Sequence, residues 1–266
     1  MFAYFHNLDY TRQVIIGDIM LLELISQNYD FESKVIIFFT FLIALVVSMT
    51  IHEFAHAFTA VKCGDPTPKS FGRNTLNPLA HIEPLGFISF LLLGFGWAKP
   101  VPINTLNFRH YKRDTFLVSI MGVVSNIVLA FLFMPLVMLV AVNVSSFASY
   151  TLFRILLYLT IYFVTINVVM FVFNLFPIYP LDGFNAMSAY MRYENKFVVF
   201  MRKYGTAILL ALLIVFDVVY NIWEIDILSY ICFYVSWPLT KFWSWVFGYG
   251  ALNFNYLGLV LFGIVG

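Results

Sequence analysis

Ser48-Met49-Thr50-Ile51-His52-Glu53-Phe54-Ala55-His56-Ala57-Phe58-Thr59 closes an apolar run that begins near residue 35. An H-E-x-x-H pattern inside a stretch of membrane-helix character decides how the chain is read. A helix turns once every 3.6 residues, so His52 and His56 project from one face a turn apart and can place both imidazoles on one metal. Glu53 beside them can act on water as a base. Ser48 and Thr59 extend a polar strip along an otherwise apolar helix and are expected to line a path for water. Ionisable groups at membrane depth are costly and mark function.

Working outward, further apolar runs cover residues 115–141, 151–176, 205–222 and 228–248, each near the length of about 20 residues that a bilayer crossing needs. With 62% hydrophobic and only 11% charged residues, the composition lies outside that of soluble domains. A net charge of +1 with no block of like charge excludes a nucleic-acid partner. Cys63 and Cys232 are too few for a disulfide framework. The opening residues lack the pattern of a cleaved leader. Residues 14–25 and 256–266 are apolar but short, and 86–98 is short and glycine-rich, which predicts a membrane-dipping element. The expected fold is an all-α polytopic membrane protein of five to six transmembrane helices, with a short membrane-associated β or re-entrant segment after the first catalytic helix. One membrane domain is expected over 1–266, with 1–33 as an N-terminal extension and 52–183 as its catalytic core.

Lys62, Lys69, Arg73, Lys99, Arg109, Lys112 and Arg113 crowd the connection after the first span, while acids outweigh Arg12 in residues 1–33. The basic side is predicted to be cytoplasmic. His56 precedes Lys62 by about 9 Å of helix axis, so the site should lie submerged toward that side.

A catalytic zinc needs a third protein ligand and an open position. The metzincin continuation is absent, since Thr59 and Lys62 stand where Gly and His would be, and Cys63 is about 10 Å from His56 along the axis. Two acids stay open: Glu83, in His81-Ile82-Glu83-Pro84, and Asp182, the stronger candidate, in Asn174-Leu175-Phe176-Pro177-Ile178-Tyr179-Pro180-Leu181-Asp182-Gly183. In the second, prolines break a span and the turn that follows can aim a carboxylate back into the bundle.

These stretches, with Asp65-Pro66-Thr67, Asn77-Pro78-Leu79-Ala80-His81 and Gly96-Trp97-Ala98-Lys99-Pro100-Val101-Pro102-Ile103-Asn104, resemble the site-2 proteases, intramembrane zinc metalloproteases, in a compact form without PDZ or CBS domains. The motifs occur in the family's order over residues 52–183. The resemblance implies one zinc ion held by His52, His56 and Asp182, Glu53 as general base, and Asn126 and Asn174 near the scissile carbonyl. Thr115, Ser119, Gly122 and Asn126 share one small, polar helix face, and Asn167 and Asn174 share another. Val123, Glu83, Tyr179 and Phe184 depart from the family's usual residues without removing a ligand or the base.

The expected activity is zinc-dependent cleavage of transmembrane segments that enter laterally from the lipid bilayer, unwind near the metal and add as a strand along residues 67–90. The protein is expected to be an integral multi-pass protein, of the plasma membrane if bacterial. Two rivals remain: a membrane gluzincin using Glu83, and a metal-ion transporter lined by His52, Glu53 and His56.

Overall fold

The computed structural model describes residues 30–93, 98–143, 147, 149–192, 194–223 and 226–248. Among them the chain forms helices and no strand: α1 Phe31–Cys63, α2 Thr67–Ser70, α3 Pro84–Leu93, α4 Tyr111–Val142, α5 Tyr150–Asn174, α6 Asp182–Ser188, α7 Lys196–Trp223 and α8 Ile227–Val246. Four of these, α1, α4, α5 and α7, are long and apolar enough to cross a membrane. Helices α1, α4 and α7 extend beyond the apolar runs that announce them, and polar side chains cap the starts of α1 and α5. The Ser33 N–H donates to Asp30 at the start of α1, and the Leu152 N–H donates to the Ser149 hydroxyl at the start of α5.

The structure differs from expectation in two places. The run at 228–248 forms α8, whose 20 residues include Trp237, Trp243, Trp245, Tyr230 and Tyr234, and it is not among the four crossing candidates. Indole and phenol groups lower its hydropathy and suit an interfacial depth. Where described, the expected β segment after α1 is instead α2, a 3₁₀ turn at Pro78–Ala80 and α3, with no strand. Pro66 and Pro84 open these helices with φ already set, as proline does at a first turn. The short elements expected at 14–25 and 256–266, and residues 94–97 of the 86–98 segment, lie outside the described residues.

Helices α1, α4 and α5 pack on one another, and α6 rests against α4. In α5, 67% of the most apolar stretch is buried, against 17% in α7. The former is therefore the central helix and the latter presents its sides to the surroundings. One apolar cluster joins Met134, Val137 and Met138 of α4 to Leu157, Val164 and Val168 of α5 and Cys232 and Phe233 of α8. A second joins Ile36, Phe41 and Ala44 of α1 to Tyr158, Tyr162 and Phe163 of α5. These two contacts fix α1 and α4 on adjacent sides of α5, which brings their polar faces together.

Just beyond α1, the buried Asp65 ties the chain to the segment before α4. Its carboxylate accepts from the Asn104 N–H at 2.7 Å, from Asn107 Nδ2 at 2.8 Å, and from the N–H and hydroxyl of Thr67 at 3.1 and 2.6 Å. Burial works against the ionised form, but these donors outweigh it and hold the carboxyl below its ordinary value. The sign follows: this stabilisation is complete above the unfolded-state value of about 3.9 and is lost as pH falls toward the lower folded-state value. Asp65→Ala is expected to cost about 1–3 kcal/mol, because the Asn104 and Asn107 donors lose their partner. Thermal unfolding in detergent at pH 7 and at pH 3 checks this, with the difference between wild type and variant shrinking at the lower pH.

Candidate metal centre

His52 and His56 lie on the face of α1 that turns toward α4, and both are buried. Asp182 is the first residue of α6. The chain leaves α5 at Asn174, turns through Pro177 and a cis Tyr179–Pro180 peptide, and re-enters helix at Asp182. Gly183 permits that return. A Cβ there would lie 2.2 Å from the Leu175 carbonyl oxygen, so a side chain would lever α6 off the end of α5.

The three side chains converge. His52 Nε2 and His56 Nε2 are 3.1 Å apart, and Asp182 Oδ2 lies 3.2 Å from the first and 3.1 Å from the second. Among the described residues this is the group of His, Cys, Asp and Glu side chains whose donor atoms gather closely enough to hold a metal. Glu83 lies outside it, which removes the support for a Glu83-based centre.

The other ring nitrogens say which lone pairs face inward. His56 Nδ1 is 2.7 Å from the Val118 carbonyl oxygen, which can only accept, so Nδ1 carries the proton and Nε2 offers a lone pair. His52 Nδ1 is 2.6 Å from Asn126 Oδ1, with the same result. Two acceptor nitrogens and a carboxylate oxygen facing one another at this range call for a cation between them. Donor atoms about 2.0–2.1 Å from a tetrahedral zinc stand roughly 3.3 Å apart, so the donor set fits that ion.

Glu53 is half-buried beside the pair. Its Oε2 accepts from the Val101 N–H at 3.3 Å, which lays the irregular segment 98–104, held by Asp65 at Asn104, over the base candidate. Asn126 departs from expectation. It sits behind His52, its Oδ1 is spent on the imidazole, and its Nδ2 donates to Asn167 Oδ1 at 2.8 Å and toward Met170 Sδ at 3.7 Å. No donor is left for a reacting carbonyl, so its place is that of a histidine partner. Asn174 ends α5 and donates to the Met170 carbonyl oxygen at 3.0 Å. Ser48 has no exposed surface and meets Asn167 rather than a water path. His81 is buried in its loop with Nε2 2.9 Å from the Thr75 carbonyl oxygen. The Val118 and Val101 backbone contacts had no signal in the sequence, since any residue supplies a carbonyl or an amide.

A buried two-histidine, one-carboxylate cluster with an adjacent glutamate, set among long apolar helices, defines a membrane metalloprotease-like centre. Among curated proteins the chain is 43% identical over 152 residues to "Putative zinc metalloprotease YwhC" of Bacillus subtilis (strain 168), covering 55% of this chain and 66% of that protein. It is 29% identical over 226 residues to "Putative zinc metalloprotease Rip2" of Mycolicibacterium smegmatis, covering 80% and 83%. It is 27% identical over 215 residues to the protein of the same name from Mycobacterium tuberculosis (strain ATCC 25618 / H37Rv), covering 75% and 78%. The match to YwhC thus spans just under two thirds of that relative's length. No family profile matches the chain, and no solved structure does. The chain is thus similar to proteins named putative zinc metalloproteases, in line with the site-2 protease resemblance of its motifs.

Proposed function

We propose that this protein is an intramembrane zinc metalloendopeptidase that cleaves transmembrane segments of other membrane proteins. The observation that carries the proposal is the convergence of His52, His56 and Asp182 next to Glu53, at the contact of α1, α4 and α6. A zinc ion bound there supplies Lewis acidity, polarising a peptide carbonyl and acidifying water near neutral pH. The chain's own residues do the rest. Asn126 and the Val118 carbonyl hold the two imidazoles with Nε2 inward, and Asp182 completes the donor set from a different helix. Glu53 takes the proton of the attacking water on its carboxylate and returns it to the leaving amide nitrogen, so the peptide bond breaks with atoms and charge in balance. Asn174 is the amide left to donate toward the carbonyl oxygen as it gains charge.

Substrate enters laterally between helices and must unwind, because a helical carbonyl is already hydrogen-bonded. Residues 67–90 form no strand, being helical at both ends in α2 and α3, and the irregular segment 98–104 supplies the Val101 N–H that donates to Glu53. The basic residues between α1 and α4 support a centre that opens toward the cytoplasmic face of the membrane.

Zinc content of detergent-purified protein tests the reading. Wild type is expected to hold about one zinc per chain. Asp182→Ala and His56→Ala are expected to lose it while remaining folded, and Glu83→Ala to keep it. Zinc retained in Asp182→Ala, or lost in Glu83→Ala, contradicts the proposed ligand set. Cleavage of a membrane-embedded test substrate, abolished by chelation and restored by zinc, separates the protease from an ion path. Zinc flux without cleavage points the other way.

A further inference from the structure

Behind His52 lies a chain of buried polar groups that no part of the proposed reaction uses directly. Ser48 on α1, Asn126 on α4 and Asn167 on α5 each have 0% exposure. Asn167 Nδ2 donates to the Phe163 carbonyl oxygen at 2.7 Å and to Ser48 Oγ at 2.7 Å. Asn167 Oδ1 accepts from Asn126 Nδ2 at 2.8 Å, and Asn126 Oδ1 faces His52 Nδ1 at 2.6 Å.

The direction of every bond in this series is set at its far end. A peptide carbonyl has no proton to give, so the atom of Asn167 beside the Phe163 oxygen is its NH₂ and the opposite atom is its oxygen. That oxygen requires the NH₂ of Asn126, which turns the Asn126 oxygen to His52. An oxygen acceptor there requires a proton on Nδ1, which leaves Nε2 deprotonated and pointing at His56 and Asp182. Reversal of either amide would put an NH₂ against Nδ1, move the imidazole proton to Nε2 and block that ligand position. The His56 side needs no such device, since the Val118 carbonyl acts on it directly. Outside water, few competing partners exist to restore the order if one link is removed.

We propose that Asn167 is a positioning residue for the metal centre: anchored on the Phe163 carbonyl, it orients Asn126 and thereby selects the metal-binding tautomer of His52. This rests on the zinc-site reading above. It reaches a residue of α5 that touches neither the ligand cluster nor Glu53, and it gives the central helix a part in metal affinity as well as in packing.

The test is zinc affinity by chelator competition on the full chain in detergent, for wild type, Asn167→Leu, Asn167→Asp, Asn126→Leu and the Asn126→Leu/Asn167→Leu double variant. Thermal unfolding is followed in parallel, and ¹⁵N-histidine NMR reads the tautomer of His52 in the zinc-stripped protein. Asn167→Leu is expected to weaken zinc binding by about 10- to 100-fold, the usual scale for a lost partner of a ligating histidine. Asn167→Asp, protonated in this buried position, can give a hydrogen bond to the Phe163 carbonyl and accept one from Asn126. It is expected to bind zinc within roughly threefold of wild type, since both hydrogen bonds survive. The double variant should bind no more weakly than Asn126→Leu, because both act on one path. His52 should be the Nδ1–H tautomer in wild type and shift toward Nε2–H in Asn167→Leu. Wild-type affinity in Asn167→Leu, a folded Asn167→Asp that binds zinc poorly, or an unchanged tautomer overturns the proposal while leaving the zinc site standing. A wild type that binds no zinc overturns the site and this relay together.

Discussion

Gly122→Ala is expected to strip the protein of its metal and of all zinc-dependent activity while leaving the helices formed. Elsewhere in a helix this substitution stabilises by about 1 kcal/mol, because alanine is the better helix former. Here the sign reverses. A Cβ on Gly122 would stand 2.2 Å from His56 Nε2, 2.5 Å from His56 Cε1 and 2.8 Å from His52 Cε1. Contacts this short require something to move, and both rings are tied to the same helix that carries the glycine. His56 is held by Val118, one turn before it, and His52 by Asn126, one turn after it. The imidazoles therefore lie across α4 with Gly122 between their anchors, and a methyl group there pushes both away from Asp182. Metal analysis of the purified variant, with its unfolding curve, checks this: zinc content below a tenth of wild type with a cooperative transition is the expected result. A folded Gly122→Ala with full zinc occupancy would refute the close approach on which the geometry depends.

How far the sequence revealed this site depends on which atoms do the work. His52 and His56 were legible because helical periodicity puts them on one face, with Glu53 beside them, and because a charged cluster inside an apolar run has few bland explanations. Asp182 was the stronger of two candidate acids from the prolines before it and the glycine after it, which end a helix and allow a tight return, but the turn alone did not choose it over Glu83; the resemblance of the motifs did. Asn126 was recognised as belonging to the site, but its direction was not, since an amide can present either its oxygen or its nitrogen and the choice is made by Asn167 on another helix. The Val101 amide over Glu53 and the Val118 carbonyl behind His56 left no trace, being backbone groups.

The fold shows a similar division. Long apolar runs announce α1, α4, α5 and α7 because a bilayer-length stretch without charges has few other uses. Residues 86–98 read as a membrane-dipping element on glycine content and shortness; residues 86–93 of that segment are helical in α3, for which Pro84 at the first position is the local signal. The aromatic-rich run of α8 carries enough polar ring edges to blur the distinction between a crossing and an interfacial helix.

Glu53→Gln should separate metal binding from proton transfer. The amide is nearly isosteric with the carboxylate and still offers an oxygen to the Val101 N–H, so the segment 98–104 has no reason to shift. Its oxygen cannot serve as a base near neutral pH, and it has no proton to return to the leaving nitrogen. The variant is therefore expected to hold zinc as wild type does and to lose at least about 10²- to 10⁴-fold in cleavage rate, the range that general acid–base catalysis contributes. Asp182→Ala should fail differently, losing zinc and activity together, because the carboxylate that faces both Nε2 atoms is gone. Cleavage of a membrane-embedded substrate and zinc content, measured on the same preparations, distinguish the two failures. Were Glu53 only a polar lining beside a metal path, glutamine in its place would leave proteolysis and metal content in step. A zinc-loaded protein that no longer cleaves assigns the proton to Glu53, since its carboxylate is the one feature that has changed.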